Sequence, residues 1–209
     1  LLEGVDVTGH RPEAIVALRD YSGPAAVMTP DGRIGASRSG LRDAETLTLW
    51  DMRTGKQLRT LEGTHRDVLG MALSPDGRLF ASHDSLGTGI ALWNVATGAR
   101  VASLPVPNRP TNLGRLAFGP QGGWLAVLNE KAVSVFDTSR WERVQDATLP
   151  PERFDEQPRI SDFAFDPKGE RLALVGGSWE SHGALWDLGT RRAVRTFCQS
   201  QVARPKAVG

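Results

Sequence analysis

Short apolar segments separated by turn residues recur along the chain at intervals of about 45 residues. A unit begins with an apolar segment such as 69–73 (LGMAL), and after a turn a second one follows, as in 171–175 (RLALV). A third segment ends on an aromatic residue, as in 90–93 (IALW), and a fourth alternates more, as in 100–104 (RVASL). Short segments without helical periodicity predict β-strands. The chain is therefore predicted to be all-β, with repeated sheets of four antiparallel strands.

The turns fix the phase of the repeat. Proline at the second turn position presets φ, and the later glycine tolerates the left-handed region. The prolines are 45, 45 and 47 residues apart, in TPDG (29–32), SPDG (74–77), GPQG (119–122) and DPKG (166–169). A second series keeps the same phase, with aromatics 43, 43 and 50 residues apart in WD (50–51), WN (93–94), FD (136–137) and WD (186–187). Two series in one phase indicate an internal repeat.

Four short strands per unit of this length are typical of one β-propeller blade. The chain resembles the WD-repeat family in the turns, in the Trp-Asp closures and in Gly63-Thr64-His65, a Gly-His pair with one residue inserted. The resemblance covers roughly residues 20–197. It is strongest in the second unit and weakest in the third, which has Phe136 for Trp and Gln121 for Asp. Because 21 of the 25 basic residues are arginine, we expect a GC-rich genome and a bacterial-type WD-repeat protein.

The repeat divides the chain into four predicted blades, at residues 5–61, 62–104, 105–149 and 150–197. Residues 1–4 (LLEG) echo 60–63 (TLEG) and are interpreted as the end of a preceding blade, whereas 198–209 is predicted to be a polar, disordered tail. Four blades leave three interpretations open. We favour an open arc that is a segment of a longer propeller, over a ring completed by a second chain and over a small closed ring. An open arc leaves two blade faces through which the protein can self-associate.

Composition limits the partners and the compartment. The net charge of +1 gives no bulk electrostatic reason to expect nucleic acid or an anionic membrane as partner. No apolar run approaches the roughly 18 residues that a membrane-spanning helix needs. The single cysteine, Cys198, cannot form an intrachain disulfide, which fits a reducing, cytoplasmic location.

The search for chemistry finds no catalytic set. None of the four histidines has a Cys or His at metal-ligand spacing, and no phosphate-binding or dinucleotide-binding glycine pattern is present. His83, Asp84 and Ser85 are triad residue types, but neighbours on one loop do not usually adopt triad geometry. The sequence therefore predicts no catalytic residue, no metal, no cofactor and no enzymatic activity. The alternative is a small-molecule-binding or catalytic propeller that uses polar groups at the channel mouth.

The family resemblance also implies a buried structural network in the second unit. In WD-repeat proteins such a network joins the Gly-His histidine, a Ser or Thr of the second strand, an Asp of the following loop and the Trp. The matching residues are His65, Ser82, Asp84 and Trp93, and the other units lack the histidine at this place. A buried histidine needs hydrogen-bonding partners, so the role expected here is structural.

The resemblance further implies that inter-blade and second-to-third-strand loops lie on one face and carry binding. Long loops are predicted at 4–24, 39–46, 105–112, 150–158 and 176–183. Aromatic and arginine residues are enriched at binding hot spots. The partner-binding candidates are therefore Trp179, Phe154, Arg42, Arg109, Arg153 and His182. The predicted function is a non-enzymatic protein-interaction scaffold or sensor module. Its partner is another protein or another domain of a longer chain, such as a kinase, NTPase or protease domain.

Overall fold

The structure of the chain is a computed structural model. The residues that it describes form β-strands and the connections between them. These residues are 26–41, 44–65, 68–84, 89–106, 115–129, 131–151, 158–177 and 181–199. The strands are β1 Ala26–Met28, β2 Ile34–Leu41, β3 Ala44–Asp51, β4 Lys56–His65, β5 Val68–Leu73, β6 Leu79–Asp84, β7 Ile90–Asn94, β8 Arg100–Leu104, β9 Leu116–Phe118, β10 Trp124–Leu128, β11 Val133–Asp137, β12 Glu142–Ala147, β13 Ile160–Phe165, β14 Arg171–Gly176, β15 Ser181–Asp187 and β16 Arg192–Gln199. Within these ranges no helix has the length and apolar content needed to cross a membrane.

The strands form four sheets, and each sheet is an antiparallel meander of four consecutive strands. We number them blades 1 to 4 in chain order, so that blade 1 is β1-β2-β3-β4 and blade 4 is β13-β14-β15-β16. Strand β5 contacts both β1 and β9, and β13 contacts β10, so successive blades lie side by side. The predicted all-β architecture of four four-stranded blades is confirmed.

The outer hairpins of blades 1 and 4 continue past the predicted blade ends at residues 61 and 197. Strand β4 runs to His65, which pairs with Glu45, and β16 runs to Gln199, which pairs with Ser181. The strands extend because β3 and β15 are long enough to supply hydrogen-bonding partners for the additional backbone groups. The predicted preceding-blade segment (1–4) and residues 200–209 of the predicted tail lie outside the described residues.

The first hairpin of each blade turns on the Pro-x-Gly sequence of the repeat. In blade 2 the Gly77 N–H donates to the Ser74 carbonyl at 2.9 Å, and Gly77 has a φ of 69°, in the left-handed region that glycine adopts without steric cost. The Ser74 hydroxyl donates to Asp76 Oδ1 at 2.6 Å, and that oxygen also accepts the Arg78 N–H at 3.0 Å. Blade 1 has the same contacts at the equivalent positions. The turn residues therefore act through local hydrogen bonds and backbone geometry.

The residue after each closing aromatic builds the turn between the third and fourth strands. Asp51 Oδ1 accepts the backbone N–H groups of Arg53 at 2.9 Å and Thr54 at 3.0 Å. Asn94 accepts the Thr97 N–H at 2.9 Å through its amide oxygen. Equivalent contacts occur in blades 3 and 4. An Asp or Asn side chain that accepts from residues two or three positions ahead stabilises such a turn, so both residue types serve here.

Three apolar cores lie between successive blades. We call the face that a blade turns to the preceding blade its near face and the opposite one its far face. Each core joins one far face to the next near face. The fully buried side chains include Leu49 and Phe80 in the first core, Leu92 and Leu125 in the second, and Val135 and Leu172 in the third. Burying one such side chain stabilises the fold by about 1.5–3 kcal/mol. The blades are thus held together mainly by apolar burial.

Hydrogen bonds hold the pKa of the closing aspartates below the ordinary value of 3.8. The donors that contribute most are the Thr54 N–H for Asp51, the Ser139 hydroxyl for Asp137 and the Thr190 N–H for Asp187. A pKa that is lower in the folded than in the unfolded state stabilises the fold above the unfolded pKa. That stabilisation is lost as the pH falls through the folded pKa.

We predict that the triple variant Asp51→Asn, Asp137→Asn, Asp187→Asn keeps the fold and is less sensitive to acid. The natural Asn94 shows that an amide builds the same turn. The unfolding free energy of the wild type should therefore fall more steeply than that of the variant between roughly pH 5 and pH 3. Urea unfolding followed by tryptophan fluorescence over this range measures both curves. Parallel curves would contradict the prediction.

Candidate interaction surface

The meander topology brings two kinds of connection to one end of the blades. The turns after first and third strands lie at one end, which we call the turn end. The connections between second and third strands, and those from one blade to the next, lie at the other, which we call the loop end. These connections are 42–43, 85–89, 129–132 and 177–180 within blades, and 66–67, 105–115 and 148–159 between blades. The loop end therefore collects the connections that vary most in length.

Two of the predicted loops are shorter than the sequence pattern indicates. Leu41 pairs with Ala44, so the predicted loop 39–46 reduces to a connection of residues 42–43. His182 pairs with Gly176 and Cys198, which places it on strand β15 and not in a loop. Its side chain is half-buried. Backbone pairing across each hairpin continues through polar residues that lie in the predicted loops.

The other predicted partner-binding residues belong to connections at the loop end. Trp179 lies between Gly177 and Ser181, both of which are described. The remaining candidates, Arg42, Arg109, Arg153 and Phe154, belong to the connections 42–43, 105–115 and 148–159. These five candidates themselves lie outside the described residues. The topology thus assigns their connections to one end of the molecule and says nothing of their side chains.

Part of the predicted structural network is visible in blade 2. Trp93 Nε1 donates to Ser82 Oγ at 3.3 Å, and both residues are buried. His65 ends β4 and Asp84 ends β6, but their side chains lie outside the described set. The role of the four-residue network therefore stays a prediction.

Blade 1 contains the same tryptophan–serine contact, which is not among the contacts predicted from the sequence. Trp50 Nε1 donates to Ser37 Oγ at 2.8 Å. The signal was present, because Ser37 and Ser82 each follow their turn glycine by five residues. In blade 4, Trp186 Nε1 instead donates to Gln145 Oε1 of blade 3, at 3.0 Å. The closing tryptophans are therefore anchored by hydrogen bonds within a blade or across two blades.

A buried ion pair joins blade 1 to blade 2 at the loop end. Arg38 and Glu45 are both buried, and Arg38 Nη1 lies 3.6 Å from Glu45 Oε1. Both side chains also hold one residue of the neighbouring blade, because Arg38 donates to the Val68 carbonyl and Glu45 Oε2 accepts the Val68 N–H at 2.6 Å. Val68 is the first residue of β5. The pair therefore fixes where β5, the first strand of blade 2, begins.

The sequence pattern does not indicate the buried ion pair. Glu45 falls within the predicted loop 39–46, and no role is predicted for Arg38. Arg38 follows its turn glycine by six residues, where the other blades carry His83, Leu128 and Val175. The other blades carry a histidine or an aliphatic residue at this position, so the arginine was the available sign of an unusual contact. Its partner depends on the register of the β2–β3 hairpin, which the sequence pattern did not predict.

Blades 3 and 4 are joined at the loop end by a more exposed set of polar contacts. Arg115 Nη1 lies 2.5 Å from Asp162 Oδ1, and the Arg115 guanidinium lies 5.6 Å from the centre of the Phe163 ring. Within blade 3, Asn129 Nδ2 donates to Ser134 Oγ at 2.8 Å, and that hydroxyl donates to an Asp146 carboxyl oxygen at 2.7 Å. These contacts position the ends of strands in blades 3 and 4.

The pKa shifts of the described residues reflect the hydrogen bonds of turns and do not point to a reactive group. The clearly lowered carboxyl pKa values belong to turn-end residues, in which hydrogen bonds from the turn favour the charged form. Among the described residues, no group of three or more His, Cys, Asp and Glu side chains could hold a metal ion. What the loop end offers is a rigid support for variable connections.

No protein-family model matches the chain. It is similar to WD repeat-containing protein VIP3 of Arabidopsis thaliana, with 29% identity over 153 residues, which is 69% of this chain and 46% of the relative. It is also similar to a guanine nucleotide-binding protein subunit beta of Arabidopsis thaliana, with 29% identity over 154 residues, which is 71% of this chain and 40% of the relative. The chain thus spans less than half the length of these curated relatives.

Solved propeller structures match most of the chain. One is hydrazine synthase of Kuenenia stuttgartiensis, with a TM-score of 0.67 and 20% identity, covering 91% of this chain and 53% of that one. Another is the Cps50 (Swd1) β-propeller domain of Myceliophteria thermophila, with a TM-score of 0.67 and 19% identity, covering 86% and 56%. At these identities the structures show the fold alone. With the sequence relatives they support the WD-repeat β-propeller interpretation. The two sequence relatives come from a plant and give no support to a bacterial origin.

We predict that Arg38→Ala destabilises the protein by about 3–5 kcal/mol, because it removes the positive charge that lies near the buried Glu45 carboxylate. The control is Arg33→Ala, which removes an exposed arginine that pairs with Asp31 at 3.4 Å and should cost about 0–1 kcal/mol. Urea unfolding at pH 7 measures both. Equal destabilisation by the two substitutions would show that the buried pair contributes no more than a surface one.

Proposed function

We propose that the chain is a non-enzymatic protein-interaction scaffold whose partner-binding surface is the loop end. One observation carries this proposal: three continuous apolar cores fix the blades, while the topology gathers the variable connections at a single end. A rigid support lowers the entropy cost of presenting several loops together, and such loops are where recognition usually occurs.

The relatives support the general kind of function. By their printed names, one is a WD repeat-containing protein and the other is a subunit of a guanine nucleotide-binding protein. A subunit acts in contact with other chains. Because this chain spans less than half of either relative, their partners are not transferred to it. What carries over into the proposal is only that the partner is a protein.

Within this proposal the leading anchors are Trp179 and Phe154, with Arg42, Arg109 and Arg153 as polar contacts. Large aromatic side chains bury much apolar area with few rotatable bonds, and arginine forms several directed hydrogen bonds, so both dominate interface energetics. His182 takes a supporting role, because it lies half-buried on β15 next to the connection that carries Trp179.

The alternative is a small-molecule-binding or catalytic propeller. The hydrazine synthase match shows that the fold also occurs in a protein named as an enzyme, so the fold does not choose between the two functions. The described loop-end charges favour the scaffold, since Arg38 pairs with Glu45 and Arg115 with Asp162 in contacts that join blades. Catalysis requires polar groups that converge on a reacting atom instead.

We predict that a photo-crosslinking amino acid at position 154 or 179 captures a protein partner in cells of the source organism. The same residue placed at Thr97 or Ser139, which are exposed at the turn end, serves as the matched control and should capture none. Adducts are identified by mass spectrometry. Capture from the turn end alone would show that the binding surface is misassigned.

For a partner identified in this way, Trp179→Ala should weaken binding about 30-fold, the effect of losing a hot-spot contact of about 2 kcal/mol. Isothermal titration with the purified partner measures the change. Thr97→Ala is the control and should leave the dissociation constant unchanged. If Trp179→Ala and Phe154→Ala both bind like the wild type, neither residue is an anchor.

A further inference from the structure

The far face of blade 4 repeats the pattern with which the other three far faces bind the next blade. The second strand has an alanine four residues after the turn glycine, in the order Ala36, Ala81, Ala126 and Ala173. The third strand has an aliphatic residue just before the closing aromatic, in the order Leu49, Leu92, Val135 and Leu185. In blades 1 to 3 these residues are buried in the cores between blades. Blade 4 therefore carries the side chains of a blade interface.

In blade 4 the bulky side chain of one paired position lies on the fourth strand instead of the third, and the face stays apolar. The third strand pairs with the fourth through Leu47–Leu61, Ile90–Leu104, Val133–Ala147 and Gly183–Phe197. Blade 4 has glycine where the other blades have a bulky residue, and it has phenylalanine opposite. A Cβ on Gly183 would lie 3.3 Å from the Phe197 ring, so this ring covers the glycine. The face has kept its apolar volume in a different strand.

The same face is exposed in the residues that the structure describes. Phe197 is 53% and Val175 is 48% exposed, and Ala173 is exposed as well. The equivalent Leu61, Leu104 and Ala147 are almost completely buried. Contiguous exposed apolar side chains on a sheet face are costly in water and mark interaction sites. The repeat indicates what this site accepts, namely the near face of another blade.

Among the described residues, no blade packs against the near face of blade 1. Met28 is 57% and Met52 is 47% exposed, although Met28 is equivalent to the first-strand residues Leu73, Phe118 and Phe165. A Cβ on Gly35 would collide with Met52 Sδ. The Met52 side chain therefore fills the place that Phe80, Leu125 and Leu172 fill in the other blades. This near face is apolar, and methionine adapts well to a partner surface.

We propose that the far face of blade 4 binds the near face of blade 1 in a second copy of the chain, and that two copies close into one ring. The two open faces are the two halves of the interface that the chain already forms three times. A head-to-tail contact yields a closed ring when the rotation per blade permits it. Two copies contribute eight described blades, which is within the range of about 4–8 blades in known propellers. This inference does not use the loop end, so it stands or falls independently of the proposed binding surface.

The first test is the mass of the full chain in solution. At a chain concentration of about 100 μM, sedimentation equilibrium should give twice the 22.6 kDa chain mass. Val175→Arg introduces a charge into the far face and should weaken self-association about 100-fold. Val101→Arg is the matched control, because Val101 is 49% exposed on β8 of blade 2 and should leave the dimer intact. Circular dichroism and urea unfolding verify that both variants are folded.

The second test distinguishes a head-to-tail ring from any symmetric contact of like faces. Met28→Arg alone should dissociate the dimer just as Val175→Arg does. An equimolar mixture of the two variants should recover a dimer, because one of its two interfaces then contains only wild-type faces. A monomeric wild type, a dimer insensitive to Val175→Arg, or no recovery in the mixture would each overturn the proposal. If the wild type is monomeric, the blade that covers these faces does not come from a second copy of this chain.

Discussion

The structure depends on the burial of one apolar blade face against the next. A four-stranded sheet with apolar residues on both sides cannot be stable alone, because each face exposes side chains whose hydration is unfavourable. Here Leu49, Leu92 and Val135 occupy one repeated position, and each is completely buried only because the following blade is present. Stability is therefore shared between neighbours. The same constraint applies to blade 4. Leu185 occupies this repeated position there, and no described blade follows it.

Polar contacts act within this apolar frame. The Arg38–Glu45 pair has taken charges out of water, which is costly, and the cost is offset only when the remaining hydrogen bonds are satisfied. The two backbone groups of Val68 supply two of those bonds. Apolar packing tolerates small shifts of one sheet on another, whereas two directed bonds to one residue do not. The pair thus adds register to an interface that burial alone would leave less well defined.

The features predictable from the sequence are those decided by local chemistry. Gly77 must adopt a positive φ, and Asp51 accepts N–H groups within three residues, so both leave a pattern that can be read along the chain. Strand length is different, because it depends on whether a partner strand is available. The pairing of Leu41 with Ala44 and of His182 with Gly176 turned two predicted loops into strand. The Arg38–Glu45 contact required this register and was therefore missed.

The candidate site was predictable only at the level of topology. That the variable connections share one end follows from four strands per unit, and four strands could be counted in the sequence. Which side chains project from that end depends on residues such as Trp179 and Phe154, for which no repeat imposes a conformation. The repeat fixes the residue types of the sheets and does not fix those of the loops. Changes in the connections do not disturb the three cores, so the sequence of the loop end can vary while the blade faces stay constant.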